Sequence, residues 1–341
     1  MKSVLSLVRK CRLSCISLIL SSCISFALFS CNKDKKIINH GLFSAKYDLI
    51  SDSVPTMAIF DCIYKTLCQD YMVISSYNAK KMLHFYSTPD LTYQFSLGER
   101  GRGANEFQTF PTFCRNSSGD LFVRGYTPYL IKQLRVEKDT VIVKNEYKLK
   151  IAETPNQMHI LYDSLLYYMD YSSRSIKVYN LNLQKNILEK NISSNKNGFS
   201  TSLDIDNGSF IGNSKTSVYA YQYKKEIDFY NTSDLSYRFT IKWDYHRQED
   251  KLAEENIDNV MLHYTGGCAT ENNLFILYRG YTPSEKDVHS CIEMYDNNGC
   301  PVALFNLDRK IFSFVVDEKN KMFYCFDGND DYIYRYSWKI D

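Results

Sequence analysis

Two copies of one pentapeptide carry the densest chemistry in this sequence. Arg124-Gly125-Tyr126-Thr127-Pro128 returns 155 residues later as Arg279-Gly280-Tyr281-Thr282-Pro283, each copy shortly after a Leu-Phe pair. A guanidinium offers forked donors to an anion, and a phenol ring offers a flat face. Two such pairs near one mouth suit an anionic or sugar-like ligand. Shared descent of repeated units would also explain the match without any ligand. A second candidate is the stretch Ser96-Leu97-Gly98-Glu99-Arg100-Gly101-Arg102-Gly103-Ala104-Asn105-Glu106-Phe107. Gly98, Gly101 and Gly103 permit positive φ and close backbone approach. Glu106 is within reach of Arg100 or Arg102, and Phe107 is expected to plug a gap between structural units. The stretch reads either as a connecting loop or as an anion or glycan contact. It does not read as a phosphate cradle, because no Lys-Ser/Thr follows and no helix is signalled.

Motifs for catalysis are missing from the chain. There is no G-x-S-x-G, no H-E-x-x-H and no P-loop. The six histidines (His40, His84, His159, His246, His263, His289) are scattered. Asp204-Ile205-Asp206-Asn207-Gly208 has the look of a calcium loop, but Lys215 stands where the bidentate Glu belongs, so Asn207-Gly208 is better read as a hairpin turn. No catalytic residue, metal ligand or cofactor is assigned.

The first thirty residues form an export leader. Lys2, Arg9, Lys10 and Arg12 precede an uncharged run from Leu13 to Phe29, and the run ends at Ser30-Cys31. A basic start, an apolar middle and small residues before a cut site define a secretory signal. Leu28-Phe29-Ser30-Cys31 resembles the lipobox of bacterial lipoproteins, which implies cleavage before Cys31 and acylation of its thiol. Four of the 41 basic residues and none of the 39 acidic ones precede Cys31, so the remainder carries a net charge of about −2. Such a chain gives no electrostatic case for nucleic acid. Seven cysteines follow Cys31, an odd number with no C-x-x-C, which supports neither a zinc site nor a regular disulfide framework. One or two bridges stay open as an expectation.

Residues 31–56 read as a lipidated tether and lead-in, with ordered structure from Met57. The body, 57–341, repeats one grammar: a polar turn, a short aromatic strand, a polar loop and a second alternating strand. The units begin near Asp70, Gly119, Asp163, Asn207, Asn273 and Asn320, at intervals of 49, 44, 44, 66 and 47. The composition fits strands, with 28 Tyr and 20 Phe against 2 Trp. Repeats of 40–50 residues built from short strands mark propeller blades. The expectation is an all-β, six-bladed β-propeller with four-stranded antiparallel blades. Tyr332 to Trp338 would pair with a strand near Met57 to Phe60 to close the ring. The long fourth interval is read as a small helical insertion over 244–256. The repeated pentapeptides, three blades apart, should then face each other across the ring.

The segment Gly98 to Phe107, the lipobox and the six units together resemble the TolB-like six-bladed β-propeller lipoproteins of Bacteroides-type bacteria. Ala104 stands where that family commonly has Pro. The resemblance implies a propeller in the cell envelope, anchored in a membrane through Cys31, and imports no catalytic residue. The expected function is non-catalytic binding of an envelope protein or glycan, with Arg100, Arg102, Glu106, Arg124, Tyr126, Arg279 and Tyr281 as ligand-binding candidates. The alternative is a propeller enzyme (a hydrolase, lactonase or lyase) with a divalent cation in its central channel.

Overall fold

The structure is a computed structural model describing residues 36–39, 42–56, 62–103, 105–138, 140–151, 153–162, 164–192, 204–243, 257–328 and 331–340. The leader, Cys31 and the helix expected over 244–256 lie outside these residues.

Three short strands come first: β1 (Ile37–Asn39), β2 (Ala45–Asp48) and β3 (Asp52–Pro55). Blade 1 is β4 (Cys62–Cys68), β5 (Tyr71–Ser76), β6 (Leu83–Ser87) and β7 (Thr92–Leu97). Blade 2 is β8 (Thr112–Arg115), β9 (Leu121–Arg124), β10 (Leu130–Glu137) and β11 (Thr140–Lys148). Blade 3 is β12 (Asn156–Leu161), β13 (Leu165–Asp170), β14 (Ser175–Asn180) and β15 (Lys185–Asn191). Blade 4 is β16 (Gly208–Gly212), β17 (Thr216–Tyr221), β18 (Glu226–Asn231) and β19 (Tyr237–Lys242). A 3-10 turn at Ile257–Asn259 precedes blade 5: β20 (Leu262–Ala269), β21 (Asn273–Tyr281), β22 (Cys291–Asp296) and β23 (Pro301–Asn306). Blade 6 has β24 (Ser313–Asp317), β25 (Met322–Phe326) and β26 (Tyr332–Ser337), and its fourth strand is β3. The first strands of the blades touch in a closed circle, β4 to β8, β12, β16, β20, β24 and back to β4. The protein is a six-bladed β-propeller.

Burial follows from that stacking. Middle strands are covered on both faces by neighbouring blades, so β17 is buried at every position, whereas the outer β15 is mostly exposed. The third strands share a pattern: an aliphatic residue, a polar one, a variable one, then Tyr. It reads Ile176-Lys177-Val178-Tyr179, Ile227-Asp228-Phe229-Tyr230 and Ile292-Glu293-Met294-Tyr295 in blades 3, 4 and 5. A β-bulge falls just before that Tyr in each of these blades, and at the matching place in blades 1 and 2. A buried tyrosine needs a partner for its hydroxyl. In three blades the partner lies in the segment leading into that same blade: Tyr86 donates to the Thr56 carbonyl (2.8 Å), Tyr179 accepts from the Lys150 amide (2.8 Å) and Tyr336 donates to Asp308 (2.6 Å). In these three blades the tyrosine ring fills the blade seam and its hydroxyl pins the preceding connector.

Residues 37–55 correct the expectation of an unstructured lead-in. β1 adds in parallel to the outer edge of blade 4, with Ile37 opposite Thr240, and β2 does the same on blade 5, with Ala45 opposite Ala303. β3 then pairs antiparallel with β26, Val54 opposite Ile333, so the latch forms a few residues earlier than Met57–Phe60. Phe43 and Tyr47 seat this strap against Tyr295 (ring centroids 5.6 Å) and Phe305 (5.5 Å). Such three- and four-residue strands have no periodicity of their own to read. They exist because an outer blade edge supplies the missing partner.

Two smaller expectations also change. Cys68, Cys114, Cys268, Cys291, Cys300 and Cys325 are all free thiols, so no disulfide forms among the described residues. Asn207-Gly208 is not a hairpin turn. The Asn207 amide closes a turn onto the Asp204 carbonyl (2.8 Å), and Gly208 opens the inner strand of blade 4.

Candidate functional site

Strand direction alternates within each blade, so the loops joining blades and the loops joining second to third strands share one face. Every ligand-binding candidate named from the sequence falls on this connector face. Arg100, Arg102 and Glu106 lie between β7 and β8, Arg124 and Tyr126 at the β9–β10 loop, and Arg279 and Tyr281 at the end of β21. Blades 2 and 5 are three apart, so the two pentapeptides do stand on opposite sides of the ring.

The structure divides these candidates into two kinds. Tyr126 and Tyr281 are 6% and 3% exposed, and their rings are spent on packing. Tyr126 meets Phe107 at 4.5 Å between centroids, and the Tyr281 hydroxyl is 3.0 Å from Ser290 Oγ. Glu106 pairs with neither arginine among the described residues. Its Oε2 accepts the Gly103 amide at 2.8 Å, which ties the loop to itself. Phe107 is fully buried in the seam between blades 1 and 2, as the sequence suggested.

The arginines are a different case. Six acids on this face already have cations: Glu99 takes Lys81 (2.8 Å), Asp170 and Glu153 share Lys177 (2.8 and 3.0 Å), Asp206 takes Lys224 (2.7 Å), Asp204 takes Arg174, and Asp308 takes Arg309 (3.2 Å). Arg100, Arg102, Arg124 and Arg279 have no carboxylate partner among the described residues. Burial lowers the pKa of both Arg124 and Arg279, so each guanidinium is partly stripped of water without an ion pair in return. Arg124 Nε donates only to the Pro128 carbonyl at 3.3 Å. Arg279 lies over Phe312 at 4.2 Å, and its Nε is buried without an acceptor.

Around the channel mouth of blades 1 to 3 the structure adds aromatic residues that the sequence reading missed. Arg100 sits over Tyr77 at 4.8 Å, Tyr77 meets Phe110 at 5.7 Å, and Phe110 meets Tyr64 at 5.8 Å. Tyr64 lies within electrostatic range of Arg124 and Tyr171. The Tyr171 hydroxyl accepts from Gln157 Nε2 at 2.7 Å. Tyr77, Tyr64 and Tyr171 remain 47%, 38% and 40% exposed. Beyond Tyr171 a small cleft opens between blades 3 and 4, with Arg174, Asp206 and Tyr219 in its wall.

A buried acid lies at the seam of blades 4 and 5. Glu293 accepts from Tyr295 (2.6 Å) and Tyr264 (3.2 Å). Burial pushes its pKa up to about 7, against the pull of those hydroxyls and of Lys225. Burial, helped by Lys225, pushes neighbouring His263 down to about 4. No cluster of three or more His, Cys, Asp or Glu with metal-binding geometry occurs among the described residues.

A closed ring of six such blades defines a propeller class, and the sequence match narrows it. The TolB-like 6-blade propeller-like family matches residues 63–319, and the chain belongs to that family. No curated protein matches in sequence. Two solved structures resemble it in fold. A Bacteroides fragilis protein described as exported has 12% identity, covering 88% of this chain and 99% of its own, with a TM-score of 0.53. A Bacteroides vulgatus member of the DUF4221 family has 10% identity, covering 86% and 98%, with a TM-score of 0.54.

Proposed function

We infer that this chain is an exported, lipid-anchored propeller of the bacterial cell envelope. It holds a protein or glycan ligand on its connector face and performs no catalysis. The observation that carries this reading is the asymmetry of the two faces. Exposed Tyr64, Tyr77, Tyr129, Tyr171, Phe312 and Tyr332 all lie on the connector face, whereas the loops and strand ends of the opposite face expose fewer large apolar residues among those described: Tyr93, Tyr162 and Leu183. Exposed rings beside unpaired guanidiniums are the composition of a binding surface. Export is supported by the leader and by the exported relative of the same fold. Cys31 lies six residues before Ile37, a span of about 20 Å at full extension. Diacylation there would hold the rim of blade 4 close to a bilayer.

Replacing Cys31 with Ser should move the protein from the detergent phase to the aqueous phase and abolish palmitate labelling. A labelled Ser variant would refute the anchor. Arg124→Ala combined with Arg279→Ala should leave the melting temperature within a few degrees and weaken binding to protease-treated or intact envelopes at least tenfold. Unfolding of the double variant would instead make the arginines structural. Recovery of one tightly held divalent ion per chain would favour a channel enzyme over a binder.

A further inference from the structure

The blade 1–3 half of the connector face differs in chemistry from the other half. Its exposed large side chains are Tyr64, Tyr77, Tyr129 and Tyr171, with partly buried Phe110 between two of them and no exposed aliphatic residue. Exposed aliphatics on this face, Ile257 and Met261, belong to the connector between blades 4 and 5. A protein interface of ordinary size needs an apolar centre into which aliphatic and aromatic anchors pack together. A row of flat rings with hydroxyl edges instead matches the faces of pyranose rings, which present C–H bonds on one side and hydroxyls around the rim. Arg100 stands over Tyr77 at one end of the row, and Arg124 lies within electrostatic range of Tyr64 further along it. Neither has a carboxylate partner among the described residues. A half-buried guanidinium with open donor positions is best matched by a planar carboxylate held through two parallel bonds.

We propose that the mouth of the channel over blades 1 to 3 binds an acidic polysaccharide. Its sugar rings lie along Tyr77, Phe110, Tyr64 and Tyr171, and a uronate carboxylate is held by Arg124. This rests on the binding function inferred above and adds the ligand class. Gln157 holds the Tyr171 hydroxyl in place while its amide is itself pinned to the Gly208 carbonyl (3.1 Å) and the Phe210 amide (2.6 Å) of blade 4. Charge along the polymer explains why the guanidiniums repeat on opposite sides of the ring. A chain long enough to cross the mouth reaches Arg279 as well as Arg124.

Titration calorimetry on the full chain in detergent, with a hexamer of galacturonate and its methyl ester as probes, tests this. The acid should bind and the ester should bind at least tenfold more weakly. Arg124→Gln should bring the acid down to the level of the ester while leaving the ester unchanged. Tyr64→Ala and Tyr171→Ala should weaken both probes about tenfold, and Tyr64→Phe should restore most of the loss. Failure to bind galacturonate, glucuronate and mannuronate hexamers alike would overturn the proposal. So would equal binding of acid and ester, or binding indifferent to these substitutions. A purified envelope protein that occupies this face and is displaced by no oligosaccharide would overturn the glycan while leaving the binding function in place. Loss of all envelope binding would remove both.

Discussion

Phe107→Ala should lower the unfolding free energy by about 3–5 kcal/mol, the range for deleting a fully buried aromatic ring. Phe107 has no exposed surface and packs with Leu83, Val123 and Tyr126 in the core shared by blades 1 and 2. Two glycines exist to make room for it. Gly98 has φ +75°, and a Cβ there would come within 2.1 Å of the Phe107 ring. Gly125 has φ +138°, with a Cβ 3.3 Å from the other side of that ring and 2.9 Å from Pro111 Cα. The pentapeptide glycine and the connector glycine therefore serve one side chain, and neither backbone can close in to fill the void. Denaturant unfolding followed by circular dichroism measures the loss. Arg102→Ala, exposed in the same loop, should change stability by no more than about 0.5 kcal/mol. A loss below 1.5 kcal/mol for Phe107→Ala, on the order of a minor repacking, would show that the seam does not depend on this ring.

Glu293→Gln should flatten the pH dependence of stability. Folded Glu293 titrates at about 7, against an ordinary value of 4.5. Between those limits the native chain keeps a proton that the unfolded chain releases, so stability falls as pH rises through this window. Below 4.5 both states are protonated and the penalty vanishes; above 7 it is complete, at about 3 kcal/mol. Glutamine cannot ionise and keeps an oxygen to accept from Tyr295 and Tyr264. The variant should match the parent near pH 4.5 and exceed it by up to that amount at pH 8. Unfolding midpoints across pH 4.5 to 8 decide the matter. A variant with the same decline as the parent would place the titrating group elsewhere.

The blade count was legible because second and third strands of most blades carry aromatic alternation between polar turns, as in Leu165 to Met169 and Ile176 to Tyr179. Phase was not. The unit that begins near Asn207 opens on the first strand of blade 4, whereas the other five open on second strands. That slip lengthened the next interval to 66, beyond what the connector from Lys242 to Leu262 accounts for. First strands escaped notice for a physical reason. Lining the channel relaxes the demand for apolar alternation, as in Leu262 to Ala269, where Gly266-Gly267 interrupts it. The site divides in the same way. Arginines in a repeated motif stand out in one dimension. Tyr64 looks like any strand residue and Tyr171 like any turn residue until ring closure brings β4, β8 and β12 side by side. Glu293 likewise looks like the polar face of an alternating strand, and only a neighbouring blade stacked over it makes it a buried acid.

The strap of β1 to β3 has a consequence for the order in which the molecule is made. β3 is synthesised before any blade, yet its partner β26 is the last strand to appear. Until then β24 and β25 have no completed sheet to join, and the circle stays open at one seam. A ribosome that stops early thus releases a horseshoe with two raw margins, whatever the quality of its first five blades. Under the export proposed above, passage through a translocon from the amino end would have the same result: the segment that must fasten the circle would arrive first and wait longest. Quality control that reads exposed strand margins would in this way sense whether the whole chain has been delivered.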